Sequence, residues 1–208
     1  MKSREVSFVQ CKIDISILPS LIPYITMSLT KWKKISESIL QKNPWWTYKK
    51  DETVLPNGRR GEYHYVHTNG ASMIVPVLND GRIVLVNQYR YLNDRESLEF
   101  PCGGVKDGQT YEETARHELE EEAGFIARDC QAAGEFNPYN GVTDELCRVF
   151  IAKNLVAVPS KPDETEEFEK IILTLDDLDA QIASGVIWDG MTIAAWMIVR
   201  ARLLFLKK

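Results

Sequence analysis

Glu118, Glu121 and Glu122 stand three and four residues apart. On a helix that spacing puts three carboxylates on one face within reach of a common point. Glu120 adds a fourth acid on another side. Like charges four residues apart repel by roughly 0.2 to 0.5 kcal/mol, so Glu118 and Glu122 burden the helix unless a cation offsets them. Hard divalent cations take oxygen ligands, and Mg²⁺ usually keeps waters and substrate phosphates in the rest of its shell. The chemistry this suggests is the binding of a divalent cation. A solvated acidic face is the competing reading, and for the glutamates taken alone it prevails.

Such a cluster needs a helix with defined ends. Thr110-Tyr-Glu-Glu113 is a capping box, in which Thr110 accepts from the Glu113 amide while Glu113 reaches back to the cap. It predicts a helix from Tyr111 to Ala123, closed by Gly124 in a left-handed conformation. Before it, Trp46 to Lys50 and Gly61 to His67 read as strands separated by the turn Pro56-Asn57-Gly58. Ala71 to Leu78 and Arg82 to Tyr91 flank Asn79-Asp80-Gly81, whose Asp-Gly pair suits a tight hairpin. The lysine-rich segment before Asn43 reads as a short helix or arm. Further strands are expected at Val149 to Asn154 and Glu169 to Leu175, then a short helix near Asp176 to Ala183. A long helix closes the chain at Met191 to Leu206, with Ile193, Ala194, Met197, Ile198, Ala201, Leu204 and Phe205 as its core stripe. Strands first, a helix in the middle and helices at the end give an α+β or mixed sandwich.

Composition bounds the partners. The chain has 208 residues, 44% of them hydrophobic, and a formal charge of -5. At that length about 70% of the unfolded surface can be buried, which excludes a disordered chain or a small disulfide-stapled fold. A mild acidic excess argues against a protein that grips nucleic acid by neutralising phosphates. The segment 103–125 carries a net charge of -5 by itself, so the excess is numerically that of one motif. Cys11, Cys102, Cys130 and Cys147 form no C-x-x-C pair, which fits reduced thiols in a cytoplasm rather than zinc. The apolar stretch Ile15 to Ile25 is too short to span a bilayer. Pro19 and Pro23 interrupt it, and no A-x-A site follows. Met27 is read as the natural start in preference to an export signal.

The segment Gly103-Gly-Val-Lys-Asp-Gly-Gln-Thr-Tyr-Glu-Glu-Thr-Ala-Arg-His-Glu-Leu-Glu-Glu-Glu-Ala-Gly-Phe125 resembles the signature of the Nudix hydrolases, G-x5-E-x7-R-E-U-x-E-E-x-G-U, with U a bulky apolar residue. Gly103, Glu118, Leu119, Glu121, Glu122, Gly124 and Phe125 fall in register, seven of nine specified positions. Gln109 stands where the family has Glu, and His117 where it has Arg. A neutral Gln109–His117 hydrogen bond in place of an ionic contact is the expectation drawn from that double change. The resemblance covers roughly residues 45 to 206 and is closest to the ADP-ribose pyrophosphatase branch. Ile83-Val-Leu-Val-Asn-Gln-Tyr-Arg90, followed by Leu98-Glu-Phe-Pro-Cys-Gly103, is similar to that branch's approach to the box.

The resemblance implies an α/β fold of α+β type: a Nudix-like α/β/α sandwich with mixed and antiparallel sheet, preceded by a short N-terminal strand region. The chain then divides into an extension and arm at 1–43, antiparallel strands at 44–70 and a Nudix hydrolase domain at 71–208. It implies Glu118, Glu121, Glu122 and the backbone carbonyl of Cys102 as metal ligands, with Mg²⁺ as the cofactor and Mn²⁺ a substitute. Glu121 and Glu122 count as catalytic through that metal. Glu164 or Glu166, with Glu167 a near rival, would orient or deprotonate the attacking water. Arg90 would bind the diphosphate, and Trp46 and Tyr63 would stack on the base. The expected reaction splits a nucleoside diphosphate sugar into two monophosphates, with ADP-ribose first and GDP-mannose or a dinucleotide as alternatives. Asn140, where the branch has Pro, keeps the substrate choice open. A catalytically weak Nudix-like nucleotide-binding module is the rival from another class, motivated by Gln109 and His117. A homodimer with neither nucleic-acid nor membrane partners, in the cytoplasm, completes the expectation.

Overall fold

The first elements carry few consecutive apolar residues, and they form strands near the surface. The computed structural model, which describes residues 29–160 and 167–205, places β1 (Lys33–Lys42), β2 (Thr47–Val54) and β3 (Arg60–His67) in one antiparallel sheet ordered β1-β2-β3. Cross-strand ion pairs line it: Lys34 with Asp51 at 2.9 Å, Lys49 with Glu37 at 3.0 Å, and Lys50 with Glu62 at 3.0 Å. Lys33–Lys42 is thus a strand and not the expected short helix or arm. Its charged residues find their partners on β2, a pairing that local propensity does not register. The Pro56-Asn57-Gly58 turn forms as expected, with Gly58 at φ +81 and its N–H donating to the Leu55 carbonyl at 2.9 Å.

Next the chain becomes continuously apolar. β4 (Ala71–Pro76) is buried at all six positions and β5 (Ile83–Arg90) at its first four, the signature of strands covered on both faces. β6 (Arg95–Glu99), β7 (Cys102–Gly104) and α1 (Tyr111–Glu121) follow. β8 (Phe125–Phe136), β9 (Cys147–Ala157), β10 (Glu169–Leu173), α2 (Leu175–Ala183) and α3 (Gly190–Phe205) complete the order. The central strands form two sheets, β7-β4-β9-β8 and β10-β5-β6, with β4 parallel to β9 and antiparallel to β7. On one face Met73, Val75, Leu85, Val149 and Ile151 pack with Leu178 of α2 and Trp196, Val199 and Leu203 of α3. On the other, Ile74, Val84, Val86 and Phe150 meet Ala115 and Leu119 of α1. The expected α/β/α sandwich is what the chain builds.

Three expectations are corrected. The Asn79-Asp80-Gly81 turn forms, with Gly81 at φ +84 and its N–H bonded to the Leu78 carbonyl at 2.9 Å. It does not close a hairpin: beyond the single bridge Val77–Ile83 its two strands diverge into different sheets. β8, the long strand after the helix, has no counterpart in the sequence reading. Its apolar residues, Phe125, Ile126, Ala127, Cys130, Ala132, Ala133 and Phe136, are too irregularly spaced to signal period two, and the register slips between Ala132 and Gly134. The buried stripe of α3 is Thr192, Ala195, Trp196, Val199 and Leu203, whereas Met197 is 72% exposed. Apolar residues surround that helix, so periodicity alone selects the wrong face. Residues 1–28 and Leu206, for which expectations were stated, lie outside the described residues. Among the described residues no helix is long and apolar enough to cross a membrane.

Candidate active site

β7 is three residues long, and the site is assembled on it. Ser72 of β4 pairs with Gly103 and Met73 with Cys102, which fixes the strand against the centre of the sheet. α1 is held over the same place from its first turn. The Thr110 hydroxyl accepts from the Glu113 amide at 3.2 Å, and Glu113 Oε2 accepts from the Thr110 amide at 2.8 Å, so the capping box is complete. The Ser72 hydroxyl donates to the Tyr111 carbonyl at 2.6 Å and pins that turn to β4. At the other end Gly124 adopts φ +66, and its N–H donates to the Glu120 carbonyl at 3.1 Å. A Cβ there would stand 2.9 Å from the Val158 carbonyl oxygen, so both conformation and space call for glycine.

Anchored at both ends, the helix brings two carboxylates to Cys102–Gly103. Glu122 is 7% exposed, and its Oε2 accepts from the Cys102 amide at 3.1 Å. Glu118 approaches Gly103 so closely that a Cβ on that glycine would lie 1.9 Å from its Oε1. Glu121 takes another direction. Its side chain is 44% exposed and lies 3.7 Å from the His117 ring. Each residue turns a helix by about 100°, and with Ala115, Leu119 and Ala123 facing the core, Glu121 falls further round toward solvent than Glu118 and Glu122.

Accordingly, no group of three or more His, Cys, Asp or Glu side chains forms a metal cage among the described residues. A Mg²⁺ site does not require one, because this ion is commonly held by one or two carboxylates with water and substrate phosphate supplying the rest. Two acidic side chains converging on a position that only glycine leaves open fit such an ion. The Cys102 thiol lies against that of Cys147. Its contact with the Cys147 thiol, followed by desolvation, pushes it well above the ordinary cysteine range, so it stays protonated.

Arg90 ends β5. Its Nε donates to Glu99 Oε1 at 2.7 Å and its Nη2 to Glu99 Oε2. Hydrogen bonding to Glu99 is the main reason the guanidinium is held above its already high ordinary value, and Asp189 adds to the field it feels. Glu99 is absent from the sequence-derived site. Its signal was a lone acid inside the apolar run Leu98-Glu99-Phe100, which a buried strand tolerates only when the acid is paired. Trp46 and Tyr63 sit on the N-terminal sheet region, 36% and 39% exposed. Tyr63 packs edge-on against Trp32 with centroids 5.8 Å apart, and its hydroxyl donates to the Gly141 carbonyl at 3.3 Å. Glu164 and Glu166 lie outside the described residues, whereas Glu167 is described and exposed.

Together a capped helix, a glycine strand and two convergent carboxylates suit metal-assisted hydrolysis at phosphorus. The family model of the NUDIX domain matches residues 67–195, more than half of the chain. The chain belongs to the Nudix family. Its box departs from the Nudix signature at Gln109 and His117, and these two do not pair with each other. Gln109 accepts from the Thr114 hydroxyl at 3.3 Å, while His117 stands beside Glu121. Seven residues lie between them, and the helical part from Tyr111 to His117 alone rises about 9 Å, too far for a direct hydrogen bond. An ADP-ribose pyrophosphatase of Bacillus subtilis is 33% identical over 147 residues, covering 70% of this chain and 80% of that protein. A methanol dehydrogenase activator of Bacillus methanolicus is 32% identical with the same coverage. The crystal structure of an ADP compounds hydrolase superposes with a TM-score of 0.75, covering 85% of this chain and 96% of that one. At 24% identity it supports the Nudix fold alone.

Proposed function

We propose that this Nudix pyrophosphohydrolase cleaves the diphosphate linkage of a nucleoside diphosphate sugar, with ADP-ribose yielding AMP and ribose 5-phosphate. The observation that carries the reading is the convergence of Glu118 and Glu122 on Cys102–Gly103. The likeness to a protein named ADP-ribose pyrophosphatase supports the choice of substrate. Glu118 and Glu122 would hold Mg²⁺ or Mn²⁺, with the Cys102 carbonyl as a further ligand and Glu121 at a second ion or a shared water. When bound, the ion supplies charge neutralisation on the diphosphate and an acidified water.

The protein's own groups do the rest. Arg90 binds oxygens of the diphosphate and so withdraws charge from the phosphorus under attack. Glu164 or Glu166 orients the water and accepts its proton. The water oxygen bonds to one phosphorus, the bridging P–O bond breaks, and the bridging oxygen leaves with the other phosphate. Trp46 and Tyr63 stack on the base. The active species is a homodimer in the cytoplasm, without nucleic-acid or membrane partners; the exposed apolar residues of β1 support self-association. The N-terminal strand region, which β1 extends back to Lys33, and the Nudix domain at 71–208 divide the labour. Asn140 favours keeping GDP-mannose and dinucleotides as second substrates.

The test is a panel of ADP-ribose, GDP-mannose and a dinucleotide, each with and without Mg²⁺ or Mn²⁺, followed by monophosphate release. AMP from ADP-ribose, dependent on the ion and reduced about 100-fold or more by Glu122→Gln in a folded protein, is the expected result. Ion-independent release, or none from any member of the panel, overturns the proposal. In the second case a silent nucleotide-binding module becomes the better reading.

A further inference from the structure

Arg90 and Glu99 are unequally covered, and the inequality carries information. The Glu99 side chain is 3% exposed, while that of Arg90 is 44% exposed. A pair that served only to fill the interior would be covered on both sides. Here the anion is sealed in the sheet and the cation opens to solvent.

Strand register explains how this arises. Val86 lies opposite Glu99, Gln88 opposite Ser97 and Arg90 opposite Arg95, so Arg90 and Glu99 share one face and Arg90 folds back along β6 to reach the carboxylate. Gln88 Nε2, on the same face, donates to Glu99 Oε2 at 3.4 Å. Asp189 is oriented separately, its Oδ2 accepting from the Thr192 amide at 2.7 Å in the first turn of α3.

A guanidinium has five N–H donors in a rigid plane. Glu99 takes two, one from Nε and one from Nη2, along the side edge. The Nη1 pair and the second Nη2 hydrogen remain, and they include the end-on fork that matches two oxygens of a phosphate. We propose that Glu99 is a positioning residue that locks the side edge of Arg90 and so presents this end-on fork to the substrate diphosphate. This rests on the reading of Arg90 as the diphosphate-binding residue.

A free arginine must lose rotamer freedom when it binds; one already held by a buried carboxylate has lost it on folding. A lysine in its place would keep the charge but lack the second edge. Glu99 therefore works by geometry, although its own charge opposes that of the incoming phosphate.

The experiment is a mutant cycle of wild type, Glu99→Gln, Arg90→Ala and the double variant, with kcat and KM for ADP-ribose at saturating Mg²⁺. Glu99→Gln should lower kcat/KM about tenfold, mostly through KM, and the effect should shrink to less than about twofold when Arg90 is already alanine. Equal losses in both backgrounds, or unchanged kcat/KM with Arg90→Ala impaired, overturn the proposal and leave the diphosphate reading standing. Unchanged kinetics in Arg90→Ala overturn both. Should Glu99→Gln not fold, Arg90→Lys decides: a loss as large as that of Arg90→Ala supports the fork, and wild-type kinetics overturn it.

Discussion

Glu118 and Glu122 differ from Glu121 in what stands beside them, and at the scale of single residues that difference would separate their roles in the proposed metal site. A carboxylate that accepts from the Cys102 amide, or that occupies the space beside Gly103, is already aimed at the point where an ion would sit. Gly103 is the neighbour that makes this possible. Gly103→Ala should displace the flexible Glu118 carboxylate without unfolding the protein, because its nearest contact is a side-chain end and not backbone. The expected outcome is a rise of about tenfold in the Mg²⁺ concentration needed for half-maximal activity, with little change in melting temperature. Unchanged Mg²⁺ dependence would mean that Glu118 is not a ligand. Residue spacing in the sequence supported the trio of glutamates. The distinction within the trio was not legible, because it depends on which face of the helix the sheet covers.

Elements hold these residues still, and they differ in how openly the sequence declares them. α1 was legible because its start and stop are local: Thr110, Glu113 and Gly124 act within their own turns. α3 was not, because its core face is chosen by the sheet beneath it. Its docking on α2 rests on Asp179, which accepts from Arg200 Nε at 2.9 Å and from Trp196 Nε1 at 2.6 Å. Hydrogen bonding to Arg200 is the chief cause that holds the Asp179 carboxyl below its ordinary value, with Trp196 adding to it and desolvation opposing. A depressed carboxyl stabilises the fold above the unfolded-state pKa of about 4, and the contribution fades as pH falls through the lower folded-state value. Denaturation at pH 7 and at pH 3 should therefore show wild type losing more stability on acidification than Asp179→Asn. Equal losses would remove Asp179 from the account.

The whole molecule places an exposed three-stranded sheet beside a sandwich that is covered on both faces. β1 is exposed at every position, and Ile39 is 61% and Leu40 48% exposed along an edge strand, a surface that invites another chain. In the proposed homodimer that edge is the meeting place. Sedimentation at micromolar concentration should give twice the 23.8 kDa of one chain, and Ile39→Glu should halve it. A monomeric wild type would overturn this assembly. The capped helix, its Gly124 stop and the Glu118-to-Gly124 spacing were determined by the sequence by itself, since each depends on residues a few positions apart, and the reaction class followed from the resemblance of the whole box 103–125. Tertiary structure alone decided that Glu122 turns in while Glu121 turns out, that the chain leaves the Asn79-Asp80-Gly81 turn into two different sheets, and that Glu99 seals one edge of Arg90. Those outcomes depend on strand register and on contacts between distant segments, whose energies no local periodicity records.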